Sequence, residues 1–230
     1  MSFYKNAGGM VHPSSKEELL NEIKTRLDRE QTNLNDIDTS KITDMSFLFS
    51  RVNTEDLSHI DISRWNTSNV EDMSYMFNAC NVHQLDLSRW NTSNVENMAC
   101  MFLNCYNFNS DLSKWNTGRV KSMRDMFKNC FEFNSDLSKW DVSNVEFMQC
   151  MFLSCGKFDS DLSKWNVSKV AITYSMFREC KRFNSDLSRW DVSNVIDMEY
   201  MFYGCNKFDC CTLSNWKPKS IRARTEDVSV

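Results

Sequence analysis

The chain has 230 residues, a net charge of −4, and only 5 glycines and 2 prolines. Without a basic block, no nucleic-acid partner is expected, and Gly and Pro are too scarce for a low-complexity chain. No apolar run approaches the roughly 18 residues of a spanning helix. The N-terminal stretch holds no signal-peptide core, so the expectation is a cytoplasmic protein with no membrane insertion.

Residues 1–13 show no periodicity and read as a loose leader. Residues 14–32 read as a helix. Ser15 and Glu18 have capping-box spacing, and Leu19, Leu20, Ile23 and Leu27 follow on one face. A one-sided helix ahead of a repeat array suits an N-terminal cap.

Residues 33–216 are a repeat array of about seven units. Trp65, Trp90, Trp115, Trp140, Trp165 and Trp190 stand 25 residues apart, and Trp216 follows after 26. Cys80, Cys105, Cys130, Cys155, Cys180 and Cys205 keep the same period, as do the Met-Phe pairs from Met76-Phe77 to Met201-Phe202. A fixed period of this size marks a solenoid, in which each unit buries its apolar face against its neighbours. The first unit is degenerate: Ile37 takes the Trp place, 28 residues before Trp65, and the surplus is expected to bulge at Asn53 to Ser58. Residues 217–230 read as a tail after Lys217-Pro218.

Each regular unit has two halves. Trp140 and Val142 alternate with Lys139 and Asp141, as in a short strand buried on one face. Val145, Met148, Met151, Phe152 and Cys155 step by three and four, as on a helix. Ser143 with Glu146 reads as its capping box, repeated by Ser68/Glu71 and Ser93/Glu96, and Gly118 reads as a lost cap. The predicted fold is therefore an α/β solenoid, leucine-rich-repeat-like, with one short parallel strand and one short helix per 25-residue repeat. A right-handed parallel β-helix is the alternative.

The motif D-L-S-[KR]-W-[ND]-[TV]-S-N-V-x-x-M-x-x-M-F-x-x-C-x-x-F-N-S covers residues 34–216. It resembles the BspA-type leucine-rich-repeat surface-protein family, and more closely the 25–26-residue repeat of mycoplasma-type lipoproteins and other bacterial surface proteins. The resemblance implies secreted or surface-attached proteins linked with adhesion. Leu137-x-x-Trp140-x-Val142 also echoes the leucine-rich-repeat line L-x-x-L-x-L.

Enzyme motifs are absent: there is no phosphate-binding loop, no His-Glu-x-x-His and no nucleophile elbow. No enzyme activity, cofactor or metal is expected. The six periodic cysteines read as reduced core fillers, the Met column as packing, and His83 as a partly buried filler in a Phe place. The cations Arg64, Arg89, Lys114, Lys139, Lys164 and Arg189 form one column. Asp86, Asp111, Asp136, Asp161 and Asp186 form another, and the two are expected to pair as a salt-bridge ladder.

A surface that reads one protein should differ between repeats. The residues meeting that condition as exposed apolar groups are Leu103, Phe147, Leu153, Tyr200 and Tyr203. The expected function is a non-enzymatic protein-interaction scaffold for a partner protein, for self-association or for a larger assembly. The alternative is an adhesive or carbohydrate-binding module that uses the six-residue cation column.

Overall fold

The computed structural model describes residues 9–52, 56–83 and 85–219. Helix α1, Lys16–Leu27, is where the capping signature places it. The Ser15 hydroxyl accepts from the Glu18 amide at 3.2 Å. The Glu18 carboxylate reaches back one residue further than expected, accepting from the Ser14 amide at 2.7 Å and the Ser14 hydroxyl at 2.8 Å. Leu19, Leu20 and Ile23 are buried on the array core.

The rest is a stack of 25-residue rungs, and it corrects the predicted architecture. Among the described residues the only other helix is a short 3-10 turn, Cys210–Leu213. β-Pairing is limited to isolated parallel bridges, such as Asn97 with Ser122 and Ser122 with Phe147. Among the described residues no strand and no α-helix recurs per repeat and no sheet forms, which also removes the β-helix alternative.

The reason lies in where the backbone amides go. In the Trp half of the rung, the Trp140 amide closes a tight turn on the Leu137 carbonyl and Val145 closes one on Val142. Aspartate side chains supply two more turns: Asp136 accepts from the Ser138 amide and Asp141 from the Ser143 amide. The burial alternation of Trp140 and Val142 is present, but the Ser138, Trp140, Ser143 and Val145 amides are used within the rung, and the Leu137 amide crosses to the Ser160 hydroxyl rather than to a backbone carbonyl. The serines predicted to cap helices are donors to these turns. Gly118 loses nothing, because its amide is held by Asn116.

In the Met-Phe-Cys half, two residues per rung are left-handed. Tyr75 has φ 56° and Ala79 φ 59°; Cys100 with Asn104 and Asp125 with Asn129 repeat the pair. A left-handed residue every fourth place breaks an i→i−4 helix ladder. Alternate amides instead cross to the next rung: Met73 to Asn97, Tyr75 to Ala99, Phe77 to Met101 and Ala79 to Leu103. The intervening amides close turns, as Met76 does on Met73. Such turns also advance by three and four residues, which imitates helical spacing.

The core consists of columns of identical side chains. Trp rings stack 6.3–6.5 Å apart from Trp65 to Trp140 and from Trp165 to Trp216. Phe77, Phe102, Phe127, Phe152 and Phe177 form a second ladder at 5.5–5.8 Å. Met73, Met98, Met123 and Met148 are buried beside them. Among the described residues the column cysteines form no disulfide. Cys105, Cys130, Cys155, Cys180 and Cys205 each donate to the carbonyl of a Phe 28 residues earlier at 2.9–3.0 Å.

The bulge expected at Asn53 to Ser58 falls partly on residues 53–55, outside the described residues, as do 1–8 of the leader and 220–230 of the tail. His83 is exposed rather than partly buried, with Nδ1 2.9 Å from the Asn107 carbonyl oxygen, and Val82 is buried in that rung.

Candidate functional site

The residue after the recurring Val-x pair (Ile42-Thr43 in the first rung) forms an outward column: Asp44, Asp72, Asn97, Ser122, Phe147, Ile172 and Asp197, linked rung to rung by parallel bridges. It is polar except at Phe147 and Ile172. The neighbouring column runs Glu71, Glu96, Lys121, Glu146, Ala171 and Ile196, joined by amide bonds of 2.8–2.9 Å from Glu96 to Ile196. Phe147, Ala171, Ile172 and Ile196 therefore form one apolar patch across three consecutive rungs. Phe147 is 38% exposed and Ile196 46%. Lys121 and Glu96 pair at 2.6 Å on the polar side of the patch.

Of the expected contact residues, Phe147 alone lies in this patch. Leu103 and Leu153 are half-buried in another column, two rungs apart with Lys128 between them. Tyr200 and Tyr203 lie together on the last regular rung, edge to face at 6.4 Å, with the Arg178 guanidinium 5.7 and 5.0 Å from their ring centres. Ile172 and Ile196 escaped sequence reading because they are far from Phe147 in the chain. Their signal is the repeat period itself, which places residue i beside i+25.

The left-handed column carries polar chemistry. Tyr75 stacks on Phe47 at 4.5 Å and accepts from Arg124 Nη2 at 3.2 Å. A hydrogen bond with Cys100 pushes the Tyr75 hydroxyl above its ordinary pKa. Burial raises Cys100 and takes Cys150 up to about 11. Neither thiol has the lowered pKa of a nucleophile. Among the described residues no three His, Cys, Asp or Glu side chains are grouped to hold a metal.

The two charged columns do not form the expected ladder. No ion pair within 4 Å joins Arg64, Arg89, Lys114, Lys139, Lys164 or Arg189 to the aspartates among the described residues; the ion pairs lie elsewhere, as at Lys121–Glu96 and Lys128–Asp125. Instead Asp111, Asp136 and Asp161 each accept the amide of the serine two residues on at 2.9 Å. That bond is the main reason their carboxyls sit below the ordinary range, with the nearby Lys adding to it. The geometric reason is local: turn formation uses the carboxylate, and the cations stay in water.

A family model described as "Mycoplasma protein of unknown function, DUF285" matches residues 18–139 and 109–216. The chain belongs to that family. The match takes in α1 from its third residue and every rung through Trp216. Comparison with curated proteins and with solved structures gives no match. No helix among the described residues is long and apolar enough to cross a membrane.

Proposed function

We propose that this DUF285 chain is a non-enzymatic protein-interaction scaffold that docks a partner protein on the Phe147–Ile172–Ile196 patch. The observation that carries the reading is the local break in an otherwise polar pair of columns. Identical stacked rungs give a monotonous surface, and a unique partner is read where that monotony fails. Exposed apolar groups that are contiguous, rather than scattered, are the usual mark of a contact site.

The test is a quantitative pull-down with wild type, Phe147→Ser/Ile196→Ser and Lys139→Glu/Lys164→Glu. The scaffold reading expects a saturable partner lost only with the first variant, at unchanged melting temperature. Binding unaffected by the first variant and abolished by the second would reject it.

That second pattern belongs to the other reading, an adhesive module akin to BspA-type surface proteins. It is favoured by one observation: six exposed cations 25 residues apart without ion-pair partners among the described residues, which suits a repetitive anionic polymer.

A further inference from the structure

The position after the column cysteine is Asn81, Tyr106, Phe131, Gly156, Lys181 and Asn206 on successive rungs. Tyr106 and Phe131 are 53% and 47% exposed, and their rings stack at 5.3 Å with planes 11° apart. The other face of Phe131 looks along the stack toward Gly156. A Cβ built on Gly156 meets nothing within 4 Å. Lys181 stands one rung beyond, exposed.

The buried Phe133, Phe158 and Phe183 occupy the same three rungs, with ring centres 5.9 and 6.0 Å apart. Phe131 and Lys181 are thus two such spacings apart. The gap over Gly156 is one rung deep, the place of one ring in the neighbouring Phe ladder, walled by an aromatic face and a lysine.

Charge decides what carries that ring. Lys181, Arg182 and Lys207 are exposed and join no ion pair with a described residue, whereas Lys157 is held by Glu132. A ring in the gap would have Phe131 on one face and an ammonium group on the other, with cations along one side. Stacking and cation–π attraction both favour an aromatic side chain there, and the cations favour carboxylates flanking it.

We infer that the gap over Gly156 receives a Trp, Tyr or Phe side chain from an acidic segment of a partner protein. This rests on the reading of the chain as a docking scaffold but not on the Phe147 patch, so a Phe147→Ser control must leave it intact.

The experiment uses the isotopically labelled full chain and an N-acetyl-Glu-Glu-Trp-Glu-Glu-amide peptide, followed by amide NMR shifts. Saturable ring-current shifts are expected at Gly156 and its rung neighbours. A Leu-centred peptide should bind about tenfold more weakly, as should the Trp peptide to Lys181→Glu/Arg182→Glu. Gly156→Phe fills the gap from within and should abolish the shifts while the protein stays folded. Phe131→Ala, which removes the stacking wall from an exposed site, should abolish them independently. Absence of shifts at Gly156 at millimolar peptide overturns the inference. So does unchanged binding by Gly156→Phe or Phe131→Ala, or a neutral glucan oligosaccharide shifting these amides when the peptide does not.

Discussion

The indole N–H of Trp140 donates to the carbonyl of Leu112 in the preceding rung at 3.0 Å. The bond recurs from Trp90 to Ile62 and from Trp165 to Leu137. It satisfies the one polar atom of a buried ring and holds the ring parallel to its neighbour, 3° off the plane of Trp115. Packing and hydrogen bonding thus act on the same atoms.

Trp140→Ala is expected to destabilise the stack by about 3–5 kcal/mol, the usual loss for a buried Trp. Trp140→Phe keeps part of the stack but loses the indole bond, while the Leu112 carbonyl keeps its bond from the Trp115 amide, at about 0.5–1.5 kcal/mol for the hydrogen bond. Urea unfolding should place the midpoints in the order wild type, Phe, Ala. A wild-type midpoint for the Ala variant would contradict the burial of this ring.

Acid should weaken the protein through the aspartate turns. Asp111, Asp136 and Asp161 have lowered pKa values, chiefly from the serine amides they accept. The folded state therefore favours the ionised form. Its contribution is intact above the unfolded value of about 3.9 and is lost as pH falls through the lower folded values. Urea midpoints measured downward from about pH 4 should drop less steeply in Asp136→Asn, whose amide oxygen still accepts but does not titrate.

Burial pushes the thiols of Cys105, Cys130, Cys155 and Cys180 well above their usual value, and Cys205 up to about 12. Here the folded state favours the protonated form. That contribution is intact below about pH 8.5 and is lost as pH rises and the unfolded chain ionises. A thiol reagent added to native protein should label exposed Cys211 first. The column should react only at the rate of unfolding, measured by counting labelled cysteines over time.

Ser154 has φ 63°, and its amide donates to the Arg178 carbonyl of the next rung at 2.7 Å. A β-branched side chain resists that backbone, so Ser154→Val should cost about 1–3 kcal/mol. Ser154→Gly should stay within about 1 kcal/mol of wild type. Equal midpoints for the two variants would show that the left-handed geometry is not retained.

The buried columns were legible in the sequence because identity at fixed period needs only side-chain chemistry. Met148, Phe152 and Cys155 are core residues whether they lie on a helix or on turns. The backbone was not legible, since turns punctuated by left-handed residues advance by three and four just as a helix does. Tyr75, Cys100 and Asp125 are not glycines, so nothing local announces their positive φ. Asp136 looked like half of an ion pair because its partner, the Ser138 amide, has no side-chain signature. For the candidate site, Phe147 was visible as an odd residue in its column, whereas its contact with Ile172 exists only once the rungs are stacked.

The column of tryptophans 25 residues apart has a consequence at the level of the coding sequence. An in-frame gain or loss of 25 codons returns Trp to Trp, Phe to Phe and Cys to Cys, so every ladder re-forms across the junction. A gain of one codon inside the Met-Phe-Cys half sets a thiol where a ring belongs and turns the forward-pointing amides away from their acceptors. Variation in length among natural alleles should therefore come in whole rungs. Variation in single residues should gather on outward positions such as 147, 172 and 196, where the rung-to-rung bonds are made by the backbone and no identical side chain is needed.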